Sequence, residues 1–318
     1  MTPVGRARTL KPGNLRTEIN KFLPLINQIA RIDIRIPFNL DSSDILPENW
    51  TEIYKIISDD MDAYDGFVII HGTDTMVYTA AALSFLLGTV RKPVILTGAQ
   101  RPLAELRSDA GNNLINAIEL ATFDIPEVAI CFGNLLFRGT RTKKISIDDY
   151  NCFESPNYPP LATIGSKIHV NRSLLLQQAS NVKLMPTYEK KIVCVRLFPG
   201  LKADLYYPLM TKNVTAIVLE GFGSGNLPMK DEQWIRFIKK AILDNIPVFI
   251  ASQAYHGIID LNQYVCGKLS KEAGAVATGD MTVETALVKL MLLFGNFQKR
   301  EEIISYFSRS LAGELTQA

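Results

Sequence analysis

Short runs of consecutive apolar residues, each followed by a stretch of helical period, recur along the 318-residue chain. In the first half they cover residues 67–70, 93–97 and 127–132, and in the second 192–197, 216–219 and 247–251. The runs are continuous rather than alternating, as strands buried on both faces must be. Between them, helical spacing predicts a helix over residues 76–87, stopped by Gly88. A second helix carries Leu114, Ile115, Ile118 and Leu120, and a third has Trp234, Ile235, Ile238 and Ile242 on one face. A last helix is expected to start near Thr282. Strands alternating with helices predict an α/β fold: a parallel-sheet N-terminal domain with helices on both faces, plus a smaller α/β C-terminal domain. The pattern loosens over residues 150–190, where "ESPNYPPLATIG" is proline-rich. The expected division is residues 1–171, a linker at 172–190, and residues 191–318.

Composition narrows the function classes. The chain is 47% hydrophobic and 21% charged, ordinary for a globular protein, and its length suits two cores better than one. A formal net charge of +2, with Lys and Arg scattered or in pairs such as Lys143-Lys144 and Lys239-Lys240, argues against nucleic acid as a partner. The four cysteines form no CxxC, and Cys131 and Cys194 lie inside apolar runs, so buried reduced thiols are expected. The three histidines, His71, His169 and His256, form no HExxH or Cys/His cluster, which speaks against zinc. The opening "MTPVGRARTLKPGN" has no apolar h-region, and no apolar run approaches the roughly 18 residues of a spanning helix. The expected compartment is the cytoplasm, with no membrane partner.

In open α/β sheets, ligands bind beyond the carboxyl ends of the strands. There the chain places Thr73, Asp74 and Thr75 after the first run, Thr97 and Gln100 after the second, and "EGFGSGN" after residue 219. His71-Gly72-Thr73-Asp74-Thr75 admits two readings. Its side chains cap the orphan N–H groups of the following helix, or they hold a small zwitterion where that helix offers donors and a positive dipole end. "LDSSDILPENW", with Asp41, Ser42, Ser43 and Asp44 ahead of a Pro and a helix, is open in the same way. "GFGSGN" departs from a nucleotide loop because Asn226 and Pro228 stand where a third glycine would be needed. No GxSxG is present, and histidine is too scarce for a Ser-His-Asp arrangement.

"DGFVIIHGTDTMVYTAAALSFLLG" together with "KPVILTGAQRPLAELRSDAGNNLINAIELA" resembles the bacterial-type L-asparaginases, in particular the cytoplasmic type I branch. "DSSDILPENW", "LFRGTRTKK", "FESPNYPPL", "GFGSGN", "GDMTVETALVKL" and "LAGELTQ" extend the likeness in order from about Leu10 to Gln317. The resemblance implies hydrolysis of L-asparagine to L-aspartate and ammonia by threonine-based covalent catalysis, with no metal or organic cofactor. It assigns the HGTD threonine to Thr73, its carboxylate to Asp74 and the RTxK lysine to Lys144 rather than Lys143. Thr73 would activate or position water, Lys144 would keep its proton balance, and Asp74 would bind the substrate ammonium. Asp41, Ser42 and Ser43 match positions that hold the substrate's α-carboxylate and α-amino ends. Asn226 matches an asparagine contributed across a subunit interface, so a homodimer or homotetramer is implied.

Two departures stand out. Enzymes of this kind begin with an apolar strand ending in Thr-Gly-Gly-Thr-Ile, which carries the first nucleophile. This sequence has no such stretch and opens at "RTLKPGNL", inside what would be the mobile loop. Thr2 and Thr9 lack the flanking glycines and the strand. A truncated reading frame, a binding homologue without turnover, an ammonia-generating amidotransferase subunit and a site with another nucleophile all stay open. Without that strand an apolar sheet edge is expected to lie uncovered. The second departure concerns an effector site that some type I enzymes build from an Arg and a Cys. Glu220 and Ala254 occupy those positions here, so allosteric activation is not expected.

Overall fold

The apolar runs of the first half become neighbouring strands of one sheet in a computed structural model that describes residues 2–4, 9–11, 15–20, 22–177 and 181–316. Residues 178–180 of the expected linker and Gln317 lie outside the described residues, and Thr2 and Thr9 are described by backbone alone. The chain divides into two units, Met1–Lys183 and Leu184–Ala318.

In the first unit an antiparallel pair of β1 (Thr2–Val4) and β2 (Thr9–Lys11) precedes short helices α1 (Leu15–Asn20) and α2 (Leu23–Ile26). The main elements follow: α3 (Pro47–Asp60), β3 (Phe67–Ile70), α4 (Met76–Leu87), β4 (Val94–Thr97), α5 (Ala110–Leu120), β5 (Val128–Phe132) and β6 (Leu135–Arg138). A two-residue ladder pairs β7 (Lys143–Lys144) with β8 (Phe153–Glu154), and β9 (Ala162–Ile164) pairs with β10 (Ile168–Val170). The sheet order is β10-β9-β6-β5-β4-β3. Strands β3, β4 and β5 are parallel, as the pattern predicts. The other half is antiparallel, which makes the sheet mixed. The cause is local: Gly133, at φ +58, and Asn134 join β5 to β6 in a tight turn. A Gly-Asn pair between apolar runs is a hairpin signal.

Alternation along the strands sorts the core onto two faces. Val94, Leu96, Val128 and Ile130 pack with Ile53 and Ile57 of α3 and Met76, Val77, Ala80 and Leu83 of α4. Ile95, Ala129 and Cys131 pack with Ala117 and Leu120 of α5. Helices thus cover both faces. Strand β3 ends the sheet, paired only with β4 among the described residues, and its Ile70 is 40% exposed.

The second unit holds β11 (Ile192–Arg196), β12 (Ala216–Gly221), α6 (Gln233–Leu243), β13 (Val248–Ser252), α7 (Val265–Glu272), β14 (Val276–Ala277), α8 (Val283–Asn296) and α9 (Arg300–Phe307). Its four strands are parallel in chain order. Trp234, Phe237, Ile238 and Ala241 of α6 bury one face against Val195, Ile217, Leu219, Val248 and Ile250. Thr282 caps α8 by accepting the Thr285 N–H, so that helix starts where expected, but α9 follows it. The cysteines are all free, and Cys131, Cys152 and Cys266 are buried. Cys194 corrects the expectation: it is exposed, on the opposite face of β11 from Val195, which is buried in the core. Among the described residues no helix is long and apolar enough to cross a membrane.

Lys289 and Glu314 form a fully buried ion pair at 2.5 Å. Lys289 also donates to the carbonyls of Phe307 and Arg309, and Glu314 accepts the N–H groups of Leu311 and Ala312. Burial pushes the lysine down, against the pull of Glu314. Lys289→Met strands a buried carboxylate, a loss of about 3–5 kcal/mol. The unfolding transition of the second unit is expected to drop by roughly 10 °C in calorimetry. The paired change Lys289→Met with Glu314→Gln should recover part of that loss; no loss in the single variant would contradict the account.

Candidate active site

The knot at the end of β3 settles first what it does not do. Thr75 takes the N-cap position of α4, yet its side chain accepts no cap bond. Its hydroxyl instead donates to the Ser42 carbonyl at 2.6 Å. Asp74 and Thr73 turn toward Lys144. The ammonium donates to Thr73 Oγ1 at 2.8 Å and to Asp74 Oδ1 at 2.6 Å. Capping is therefore not the work of these side chains, and the first N–H groups of α4 stay unengaged by them.

The positions of these groups follow from the sheet. Strand β3 delivers the knot at its carboxyl end, and the His71 N–H donates to Thr97 O at 2.8 Å, tying the turn to β4. Gly98 permits this approach, since a Cβ there would stand 2.2 Å from the His71 carbonyl oxygen. Lys144 arrives from β7, where it lies opposite Phe153 of β8, and Phe153 is buried against Phe132 with ring centroids 5.0 Å apart. Because side chains alternate along a strand, Lys143 points away from the site that Lys144 enters.

The serine loop closes one side. Ser42–Asp44 form a 3-10 turn capped by Asp41, whose Oδ1 accepts the Ser43 N–H at 2.9 Å and the Ser43 hydroxyl at 2.8 Å. Those bonds hold the Asp41 carboxyl below the usual carboxylate range. Here the capping reading is realised, while Ser42 faces the knot. A Cβ on Gly72 would lie 2.7 Å from Ser42 Oγ, so only glycine lets the two loops meet. Ser42 and Thr73 are buried, whereas the Asp74 side chain is 63% exposed and Lys144 16%.

Gln100 joins the site, although the sequence pattern marked it only as a polar group beyond a strand end. Thr73 Oγ1 donates to Gln100 Oε1 at 3.3 Å, and Gln100 Nε2 donates to the Asp149 carbonyl at 3.1 Å. The Asp109 carboxylate accepts the backbone N–H groups of Gln100 and Arg101 at 3.0 and 2.9 Å. Through that contact the "ELRSDA" stretch pins the loop that carries Gln100. Thr97, by contrast, donates to the Cys131 carbonyl at 2.8 Å and stays inside the sheet.

The structure thus gathers Ser42, Thr73, Asp74, Lys144 and Gln100, with Asp41 and Ser43 one step behind Ser42. Asn226 belongs to the second unit. It closes the turn after β12, where Asn226 N donates to Phe222 O at 2.7 Å and Gly223 and Gly225 have φ +49 and +91. Glu220 pairs with Arg196 across β12 and β11 at 2.9 Å.

Burial lowers His71 below its ordinary 6.5, against a smaller upward push from its bond to Gly72. The unfolded chain then takes up a proton near pH 6.5 that the folded chain refuses. His71 therefore contributes stability that is present above about pH 6.5 and is lost as pH falls through its folded pKa. Denaturant midpoints measured from pH 7.5 to 5 are expected to fall, with a shallower fall in His71→Gln. Parallel slopes would remove His71 as the cause.

The signature described as "Asparaginase, N-terminal" matches residues 1–176, and that described as "Glutaminase/Asparaginase C-terminal domain" matches residues 191–307. L-asparaginase 1 of Escherichia coli (strain K12) is 40% identical over 279 residues, 87% of this chain and 82% of that protein. A glutamyl-tRNA(Gln) amidotransferase subunit of Pyrococcus abyssi is 34% identical over 316 residues, 96% of this chain and 72% of that protein. The crystal structure of L-asparaginase I from Vibrio cholerae is similar with a TM-score of 0.88 and 33% identity, over 99% of this chain and 98% of that one.

Proposed function

Because the chain belongs to the asparaginase family, we propose that it hydrolyses the side-chain amide of L-asparagine to L-aspartate and ammonia, as a member of the cytoplasmic type I branch. One observation carries the reading. Lys144, some 70 residues along the chain from the knot, bonds the Thr73 hydroxyl and the Asp74 carboxylate together.

In this reading the substrate lies over the knot. Asp74 gives only Oδ1 to Lys144, which leaves Oδ2 for the α-ammonium. Asp41, Ser42 and Ser43 receive the α-carboxylate and α-amino ends. Thr73 places water at the carboxamide carbon. As the water oxygen forms its bond to carbon, the carbon–nitrogen bond breaks. The leaving nitrogen takes a proton from Thr73, which is resupplied by Lys144, and the proton released by the water restores Lys144. The net change is water added and ammonia lost, with Lys144 back as it began. Thr73 is the hydroxyl to which the chemistry is assigned because it is the one that Lys144 bonds. Asn226 is assigned to the site of a second copy, in a homodimer or homotetramer; a monomer in sedimentation at micromolar concentration would remove that role.

The deciding assay is ammonia release from L-asparagine by the full chain, run beside calorimetry with L-aspartate. Binding without ammonia would make the protein an amino-acid-binding homologue instead. A second reading, the ammonia-generating subunit of a tRNA-dependent amidotransferase, has the likeness to the Pyrococcus protein over 96% of this chain in its favour. Ammonia from L-glutamine in preference to L-asparagine would select it. The cytoplasmic assignment is checked by cell fractionation, where recovery with membranes would overturn it.

A further inference from the structure

The histidine of the knot has no part in the chemistry above, yet both of its ring nitrogens are engaged inside the protein. His71 is buried, with Nδ1 2.7 Å from the Gly72 carbonyl oxygen and Nε2 2.9 Å from Thr79 Oγ1 on α4. Thr79 Oγ1 is in turn 3.0 Å from Trp50 Nε1 on α3. The two ends of this chain have fixed roles, because an indole N–H only donates and a carbonyl oxygen only accepts. The order of protons follows. Trp50 donates to Thr79, the Thr79 hydroxyl donates to His71 Nε2, and His71 Nδ1–H donates to Gly72. A neutral ring with its proton on Nδ1 satisfies every member.

The relay ends on the peptide that leads into Thr73. A trans peptide is planar, so holding the Gly72 carbonyl sets the direction of the Thr73 N–H and the origin of the Thr73 side chain. Ser42 blocks Gly72 from the other side. Polar groups set between α3 and α4 would weaken that apolar contact unless each is bonded, and an aliphatic side chain would fill the space without that demand. We propose that His71 is a positioning residue: through Trp50 and Thr79 it fixes the Gly72–Thr73 peptide and so aims the Thr73 hydroxyl. The inference rests on reading Thr73 as the acting hydroxyl, and it adds a tautomer and a source of precision to that reading.

The full chain, labelled with 15N in its histidine rings, is expected to show His71 protonated at Nδ1 and bare at Nε2 at neutral pH. A proton on Nε2 overturns the proposal whatever the enzyme turns over. Thr79→Val keeps the shape and removes both links, whereas Thr79→Ser keeps the hydroxyl. Thr79→Val is expected to lower kcat for L-asparagine by about tenfold with KM little changed, while Thr79→Ser stays near wild type. Far-UV circular dichroism and Tm normalise both to folded protein. A purely structural threonine would lower Tm in Thr79→Val and leave kcat per folded site unchanged, which sinks the proposal. If the wild-type chain binds L-aspartate but releases no ammonia, the hydrolase reading fails on its own. The relay is then judged at the peptide it holds: a Thr73 amide resonance displaced in Thr79→Val and restored in Thr79→Ser supports it, and an unmoved resonance in Thr79→Val overturns it.

Discussion

Thr73→Ala is expected to cut ammonia release from L-asparagine by about a thousandfold, the scale at which removing an acting hydroxyl is felt. The loss should appear in kcat, because the groups assigned to the substrate's charged end are untouched. Thr73 contributes little else to the fold: its hydroxyl donates to Gln100 and accepts from Lys144. The variant should therefore keep its circular dichroism and its affinity for L-aspartate. Thr73→Ser, which keeps the oxygen, is expected to stay within about tenfold of wild type. Steady-state ammonia assays on the three proteins check this, and turnover surviving in Thr73→Ala would take the reaction away from that residue.

Lys144→Met is expected to be the second most damaging change, lowering kcat by about a hundredfold. The substitution keeps an unbranched side chain and removes the ammonium that touches both Thr73 and Asp74. Stability should hardly respond, because the Asp74 partner is largely exposed and exposed ion pairs contribute little. Lys144→Arg is not a mild control, since a guanidinium is larger and fixes its donors in one plane, whereas the ammonium is a compact charge whose three donors rotate to suit both partners. Lys143→Met on the opposite face supplies the control and should retain activity. If it were the Lys143 variant that failed, the assignment of the lysine pair would be reversed.

The parts of this molecule legible in the sequence are those where one physical demand acts alone. Strands β4 and β5 are unbroken apolar runs because both faces are buried, and α4 is bounded by the residues its pattern marks. The antiparallel half of the first sheet was harder to see because a short turn, not a periodicity, decides it. The knot could be located but not interpreted from its own residues. Cap and site place the same side chains at a helix start; their bonds to Lys144, from far along the chain, count against the cap and support the site proposed above. Asp41 resolves in the other direction, toward a local cap on Ser43. Gln100 was visible only as a polar residue past a strand; its role depends on Asp109 and on the Asp149 carbonyl, neither of which neighbours it in sequence.

Strand β3, the edge that bears the knot, has a consequence for solvent access along the backbone. In parallel pairing, alternate residues direct their amides to the same neighbour. Phe67 and His71 donate to Pro93 and Thr97, whereas the amides of Val68 and Ile70 face away from β4. Deuterium should enter at Val68 and Ile70 long before it enters at the buried amides of β4, giving a comb of fast and slow positions ending two residues before Thr73. The teeth of that comb are a built-in gauge: whatever lies against this edge in solution will be recorded as slowed exchange at Val68 and Ile70, residue by residue.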